Sequence, residues 1–225
     1  IISGFCSALI VRTFAQSDVD ELGKYASVPV INALTDDDHP TQLLADWLTI
    51  RENFGKDIKN RKFVYVGDGN NVANAWLIMG ATMGAHTVVA TPAGKWAPNS
   101  SVAEQANKIA QKSGAKIEVL TDVRVAATGA SVIYTDVWIS MGDSESDRAE
   151  KMLALKPYMV TPELMSLTAT DCIFMHCLPA HRGEEVSAEV IDGPRSVVWR
   201  QAFHRRTTIQ SLLYHLTKGD LKGNF

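Results

Sequence analysis

A polar segment in the last third of the chain, directly after an apolar run, holds side chains that can take part in chemistry. The run Cys172-Ile173-Phe174-Met175 has the length and composition of a short buried strand. Pro179 prevents the next residues from simply continuing the strand ladder, and Gly183 lets them turn. The segment contributes two histidines, a thiol and a guanidinium, which belong to His176, His181, Cys177 and Arg182. Reactive groups at a strand end match the position of ligand sites in open α/β sheets, whereas composition alone favours an ordinary polar loop.

A second group of polar side chains lies at the start of a predicted helix. Asp38 or His39 is expected to cap this helix, with Pro40 in its first turn, where proline is well tolerated. His39, Gln42 and Asp46 form a polar line beside an apolar stripe that consists of Leu43, Trp47, Ile50 and Phe54. A helix start offers free N–H groups and the positive end of a dipole. The arrangement suits a carbonyl group or an anion, and the alternative is a set of capping and surface residues.

The turn Gly67-Asp68-Gly69-Asn70-Asn71 follows a predicted strand and precedes a predicted helix, as in dinucleotide-binding folds. Val72 replaces the third glycine of that pattern. Thr91 and Pro92 follow the second strand, where an acidic residue would hold a ribose. The sequence therefore predicts no nicotinamide cofactor, and the three cysteines have no zinc spacing that would predict a metal site. The pair Asn70-Asn71 is predicted to contact a small polar ligand.

The end of the fourth strand of the larger predicted sheet adds a carboxylate, Asp136. In the usual strand order of such sheets, the first, fourth and fifth strands are neighbours. Asn71, Asp136 and Cys177 are then expected to converge in one crevice. An amide and a carboxylate can hold the carboxylate and the ammonium group of an amino acid, so an amino acid is the predicted ligand.

An arginine on the last predicted helix, at about residues 200–216, is expected to point inward. Ile209, Leu212, Leu213 and Leu216 define the predicted buried face of this helix. Arg205 points close to the centre of that face, while Arg200, Phe203 and His204 point away. An inward guanidinium needs an anionic partner, because an unpaired buried charge is very unfavourable. That partner is either a bound ligand or a structural salt bridge.

Strand-like and helical segments alternate strictly through most of the chain, which predicts an α/β fold with a doubly wound parallel sheet. The five strands of this sheet are predicted at Phe63–Val66, His86–Ala90, Ala115–Val119, Ser131–Thr135 and Asp171–Met175. We expect residues 55–196 to form this domain. Residues 1–54, with two further strands, are expected to be the remainder of a second α/β domain and a linking helix. Residues 197–225 are predicted to form a helix that returns to that first domain.

Composition excludes several classes of protein. The 225 residues are 46% hydrophobic and 21% charged, which is ordinary for a globular protein. The net charge of −3 gives no basic surface for nucleic acid or an anionic membrane. No apolar run is long enough to span a bilayer. Three cysteines without a disulfide framework favour a reducing compartment. Because the chain begins at Ile1 and soon enters a strand, we expect it to be the later part of a longer protein.

Four motifs in order, with their spacing, closely resemble those of the aspartate/ornithine carbamoyltransferase family, in its ornithine branch. They are His39-Pro40-Thr41-Gln42, Gly67-Asp68-Gly69-Asn70-Asn71, Asp136-Val137-Trp138-Ile139-Ser140-Met141-Gly142 and His176-Cys177-Leu178-Pro179. The resemblance implies transfer of the carbamoyl group of carbamoyl phosphate to the side-chain amine of L-ornithine, without a cofactor. It also implies a homotrimer with active sites at subunit contacts. A cytoplasmic location is expected, with the mitochondrial matrix as the other option.

The same resemblance implies a role for each matching residue. Carbamoyl phosphate would be held by Arg12, His39, Gln42 and Arg205. The ornithine backbone would be bound by Asn71, Asp136, Ser140 and Met141. Cys177 would lie beside the attacking amine, and Leu178 would offer its carbonyl to the carbamoyl nitrogen. Residues 143–147 would belong to a loop that closes over the amino acid.

Two departures from the family pattern leave other readings open. The Ser-Thr-Arg-Thr phosphate-binding loop of the family does not occur in these residues, so we expect it upstream and expect the fragment alone to be inactive. Phe203-His204 precede Arg205, where the family commonly has Glu-Asn. The alternatives are a sister enzyme acting on putrescine or an acylated ornithine, a non-catalytic assembly subunit, and, least favoured, a nucleotide-binding module.

Overall fold

The computed structural model describes residues 1–56, 58–139 and 145–218. Its amino-terminal part contains β1 (Leu9–Arg12), α1 (Gln16–Tyr25), β2 (Val30–Leu34) and α2 (Pro40–Phe54). The next part contains β3 (Lys62–Val66), α3 (Asn71–Thr82), β4 (His86–Ala90), α4 (Ser100–Ser113), β5 (Lys116–Leu120), α5 (Val123–Ala127) and β6 (Val132–Thr135). It continues through α6 (Glu145–Leu155), α7 (Pro162–Met165), β7 (Ile173–His176), α8 (Ala188–Ile191) and α9 (Val198–Lys218).

Five parallel strands form the larger sheet, in the order β5-β4-β3-β6-β7. The predicted neighbourhood of the first, fourth and fifth of these strands is therefore confirmed. Tyr65 pairs with Val89 on one side and with Tyr134 on the other, and Thr135 pairs with His176. The register brings the carboxyl ends of β3, β6 and β7 to one edge of the sheet.

Helices cover both faces of this sheet, as the alternating pattern predicts. Phe63 and Tyr65 of β3 point into a core shared with α2, α3 and α4. Val64 and Val66 point the other way, into a core shared with α5, α6, α7 and α8. Successive side chains of a strand point to opposite faces, so a strand buried on both faces is apolar throughout. The fold is the expected doubly wound α/β architecture.

The outer edge of β7 is covered by the chain that leads into α9. Phe174 donates its N–H to the carbonyl of Arg195 at 2.8 Å and accepts from the N–H of Val197 at 3.0 Å. The next free N–H on this edge, that of His176, donates to Oε1 of Gln201 at 2.9 Å. The position of β7 is thus tied to the first turn of α9.

The amino-terminal unit is a parallel pair, β1 and β2, with α1 packed beside β2. Helix α2 joins this unit to the larger sheet, because its buried residues Leu43, Trp47 and Ile50 belong to the core that contains β3 and α3. The Trp47 ring lies 5.5 Å from the ring of Phe63, centroid to centroid. Helix α2 also packs along α9.

The buried face of α9 differs from the prediction. Its buried residues are Val198, Gln201 and His204, all in the first half of the helix, while Ile209, Leu212, Leu213 and Leu216 are only partly buried. The expectation that His204 points away is wrong, since its Nε2 lies 2.9 Å from Oε2 of Glu52 on α2. Polar side chains are buried here because α2 supplies hydrogen-bond partners for them, which an apolar periodicity does not reveal.

Among the described residues, no helix combines the length and the hydropathy that crossing a bilayer requires.

Candidate active site

The carboxyl ends of three neighbouring strands bring an amide, a carboxylate and a thiol into direct contact. Cys177, after β7, has its Sγ 2.8 Å from Oδ1 of Asp136, which follows β6. Asn70, after β3, donates from Nδ2 to the other carboxylate oxygen of Asp136 at 2.9 Å. The backbone N–H of Val137 also donates to Asp136 Oδ1, at 2.8 Å. Both oxygens of this carboxylate are therefore fixed in place.

The structure brings Asp136 and Cys177 together as the sequence predicts, but their amide partner is Asn70 rather than Asn71. Asn71 donates from Nδ2 to the carbonyl of Thr35, in the amino-terminal unit, at 2.8 Å. Asn70 is the N-cap of α3, and its Oδ1 accepts from the N–H groups of Val72 and Ala73. Asparagine is a preferred N-cap, and once its oxygen caps the helix its NH₂ group is free to reach Asp136. That preference is the signal that could have singled out Asn70.

Cys177 is a protonated thiol at neutral pH. Burial raises the pKa of the Cys177 thiol well above its ordinary value, and the neighbouring Asp136 carboxylate raises it further. The thiol therefore donates its proton to Asp136 in the contact described above. Because a thiol is a weak base, Asp136 is the stronger candidate for accepting a proton from a substrate.

The turn after β7 is organised by the buried ring of His176. Its Nδ1 accepts from the N–H of Leu178 at 2.8 Å, and its Nε2 lies 3.3 Å from Oε1 of Glu185. Leu178 has a positive φ of 60°, and the bond between Leu178 and Pro179 is cis. His176 and Glu185 are both fully buried side chains. The histidine ring thus holds Cys177 and Leu178 in one fixed turn at the strand end.

A polar group of three side chains, those of Arg205, Gln42 and His39, lies where α2 and α9 meet. Arg205, half-buried on α9, donates from Nη1 to Oε1 of Gln42, and the same Nη1 lies 3.5 Å from Nε2 of His39. Burial and the nearby positive charges of Arg205 and Arg12 lower the pKa of His39 to about 4. His39 is therefore neutral at pH 7 and can give a hydrogen bond to an oxygen without being a cation. Arg205 Nε is buried and has no hydrogen-bond partner in the described part of the chain.

Two predicted site residues, Ser140 and Met141, lie outside the described residues, as does the beginning of the predicted closing loop. At the end of that loop, Asp147 accepts from Nζ of Lys95 at 2.6 Å.

Helix α2 begins after His39, as expected, although neither His39 nor another side chain caps it.

One cluster near the site has the composition of a metal ligand set. Asp136, His176 and Cys177 offer atoms within 4.8 Å of one another. Each of these side chains already has a hydrogen-bond partner, because Cys177 donates to Asp136 and His176 accepts from Leu178. Donor atoms of this cluster thus already take part in the hydrogen bonds that hold the strand ends and the turn. That the site needs no metal and no cofactor stays a prediction.

Comparison with known proteins identifies the class. Residues 59–216 match the family model described as the aspartate/ornithine carbamoyltransferase Asp/Orn binding domain, and residues 1–52 match the carbamoyl-P binding domain of the same family. The chain belongs to the aspartate/ornithine carbamoyltransferase family.

Relatives that match nearly the whole chain carry the name ornithine carbamoyltransferase. The protein from Gloeobacter violaceus is 44% identical over 97% of this chain and 69% of the relative, and that from Pyrococcus horikoshii is 47% identical over 100% and 70%. The solved structure of ornithine carbamoyltransferase from Pyrococcus furiosus superposes with a TM-score of 0.91 at 47% identity, over 98% of this chain and 69% of the other. The resemblance found in the motifs is confirmed.

Proposed function

We propose that the chain transfers the carbamoyl group of carbamoyl phosphate to the side-chain amine of L-ornithine, giving L-citrulline and phosphate. The observation that carries this proposal is the Asp136–Cys177 contact at the strand ends, with the Arg205–Gln42–His39 group joined to the same sheet through α2 and α9. The Asp136–Cys177 pair suits an amine, and the Arg205–Gln42–His39 group suits a carbonyl group and an anion. Family membership supports the same reaction.

The reaction forms one bond and breaks one. The neutral side-chain amine attacks the carbonyl carbon, the bond from that carbon to the phosphate oxygen breaks, and phosphate leaves with both bonding electrons. The carbonyl oxygen gains negative charge in the tetrahedral transition state. Neutral His39 and the cationic Arg205 and Arg12 are the groups that we assign to this charge and to the phosphate. Gln42 joins them through its contact with Arg205.

The attacking amine must lose a proton, and Asp136 is the acceptor that we assign. Its carboxylate also suits the ammonium group of an amino acid. Cys177 contributes a neutral thiol beside it, and Leu178 offers a backbone carbonyl to the carbamoyl nitrogen. Asn71, Ser140 and Met141 complete the proposed contacts with the amino acid, by resemblance to the family.

A substrate comparison tests the proposed function. Expressed together with a segment that carries the family's phosphate loop, the protein is expected to form a ureido product from ornithine at least about 100-fold faster than from putrescine or Nα-acetylornithine. Putrescine lacks the α-carboxylate of ornithine, and Nα-acetylornithine lacks the charge of its α-amine. Each compound would leave polar groups of the site without a partner, and such a loss separates substrates strongly in rate. Product is measured as ureido compound released over time. A preference for putrescine or the acylated amino acid would identify a sister enzyme, and no turnover of any amine would favour a non-catalytic subunit.

Substitution of Arg205 tests the carbamoyl phosphate side separately. Arg205→Ala is expected to weaken carbamoyl phosphate binding at least about tenfold, because a charge-assisted hydrogen bond contributes about 1.5–3 kcal/mol. Isothermal calorimetry measures the affinity. Arg206→Ala is the matched control, since Arg206 is exposed on the same helix and its loss should leave the affinity unchanged. Equal affinities for Arg205→Ala and the parent would remove Arg205 from the site.

We also propose a homotrimer in the cytoplasm or the mitochondrial matrix, with a role in arginine metabolism. These proposals come from the family resemblance. Sedimentation equilibrium would give the mass of three chains if the trimer is right.

A further inference from the structure

A continuous chain of hydrogen bonds, buried except for the half-buried contact at Arg205, connects the two halves of the site through a carboxylate to which the motifs assign no role. Asp46 of α2 is fully buried. Its Oδ1 accepts from Nε2 of Gln42 at 2.8 Å and from Nε2 of Gln201 at 2.7 Å. Gln42 accepts from Arg205 on the carbamoyl phosphate side, and Gln201 accepts from the backbone N–H of His176 on the thiol side.

The chemistry of the end groups permits one orientation of each amide. A guanidinium and a backbone N–H only donate, so Arg205 and His176 require the carbonyl oxygens of Gln42 and Gln201. Both NH₂ groups must then face Asp46, whose Oδ1 accepts from the two of them. This oxygen can accept whether or not the other carboxylate oxygen carries a proton. A single acceptor in the core thus sets the direction of two glutamine side chains.

Each arm ends beside a group that meets a substrate in the proposed reaction. Through Gln42, Asp46 fixes an acceptor beside Arg205 and His39. Through Gln201, it fixes the backbone of His176, the residue before Cys177. His176 lies on the outer edge of β7, where no further strand within the described residues supplies a partner. The two arms come from different helices, α2 and α9, and meet at Asp46.

We infer that Asp46 and Gln201 are positioning residues for carbamoyl transfer, because they lock the Gln42 amide and the Cys177 turn into one fixed relation. This inference rests on the proposed function. Neither residue needs to touch a substrate. Asp46 acts through its hydrogen bond to Gln42, and Gln201 acts through its hydrogen bond to the backbone of His176, the residue before Cys177. The distance between the carbonyl carbon and the attacking amine then depends on this bridge, and small errors in that distance lower the rate strongly.

Three substitutions in the full protein separate the arms. Gln201→Met keeps the side-chain size and removes only the His176 arm, so kcat is expected to fall at least about tenfold while the Kd for carbamoyl phosphate stays within about threefold of the parent. Asp46→Leu removes the acceptor for both arms, and both kcat and carbamoyl phosphate affinity should worsen. Asp46→Asn keeps an acceptor oxygen at the same place, and its kcat should stay within about threefold of the parent. Gln210→Met, at an exposed position of α9, is the control and should change nothing.

The split between kcat and Kd is the readout that a merely structural role would not produce. Unchanged kcat in Gln201→Met, or equal losses of kcat and carbamoyl phosphate affinity in it, would overturn the inference. Equal damage from Asp46→Asn and Asp46→Leu would overturn it too, since charge rather than the acceptor would then matter. Circular dichroism confirms folding, and if Asp46→Leu does not fold, Gln201→Met and Asp46→Asn decide. A parent without citrulline formation would refute the proposed function, whereas the calorimetric comparison of the variants still tests the bridge.

Discussion

Asp136→Asn is expected to lower the turnover of ornithine by about 10²–10⁴, the usual contribution of a general base. The substitution keeps the size of the side chain but removes its negative charge and its ability to take a proton. Cys177→Ser should lower turnover far less, because the thiol is already neutral and a hydroxyl can donate to Asp136 in its place. The measurement is kcat for citrulline formation at saturating substrates.

The control for this comparison is Asp171→Asn. Asp171 is an exposed carboxylate at the opposite end of β7, paired with Arg61 at 2.8 Å, and its substitution should leave kcat unchanged. If Cys177→Ser proved the more damaging by tenfold or more, the thiol would be the principal base and the assignment of Asp136 would be reversed.

The free energy of unfolding of Asp46→Asn is expected to rise relative to that of the parent as the pH increases from 4 to 8. Burial raises the pKa of Asp46 from 3.8 to about 7, against the opposing effect of the Gln42 and Gln201 hydrogen bonds and the charge of Arg205. Between pH 3.8 and about 7, Asp46 of the folded parent holds a proton that the same residue has lost in the unfolded chain. The free energy of unfolding of the parent therefore falls as the pH rises through this range. A shift of about three pKa units corresponds to roughly 4 kcal/mol.

The difference in urea midpoint between Asp46→Asn and the parent, measured at several pH values, tests this expectation. Asparagine does not titrate, so the difference should grow with pH and level off above about pH 8. Charged and titratable groups that face Asp46 from other elements, Arg205 on α9, Tyr134 on β6 and Cys177 after β7, are the same in both proteins. A difference that does not change with pH would show that Asp46 has an ordinary pKa in the folded protein.

The sheet and the contact between Asp136 and Cys177 are predictable from the sequence, because both depend on patterns that extend over whole elements. Strict alternation of strands and helices leaves few strand orders, and the usual order already makes β3, β6 and β7 neighbours. The two side chains follow directly at strand ends, so errors of one residue in the strand boundaries do not separate them.

The direction of a side chain is not predictable from the sequence where a single residue decides it. Asn70 and Asn71 are adjacent, and only the start of α3 determines which amide faces Asp136. The inward turn of His204 depends on Glu52 of another helix, which the sequence of α9 does not show. The polar line of His39, Gln42 and Asp46 is recognised from helix periodicity, but the role of Asp46 as a shared acceptor needs Gln201, 155 residues later.

The covered edge of β7 has a consequence for the behaviour of the protein at high concentration. An open strand edge can pair with the strand of another molecule and start aggregation. The edge of β7 offers no such template at Phe174 and His176, because the 195–197 segment and Gln201 already occupy its backbone groups. At the other edge of the sheet, β5 carries the charged side chains of Lys116 and Glu118, which oppose docking of a neighbouring strand. The parallel sheet is thus protected against self-association at one edge by covering and at the other by charge.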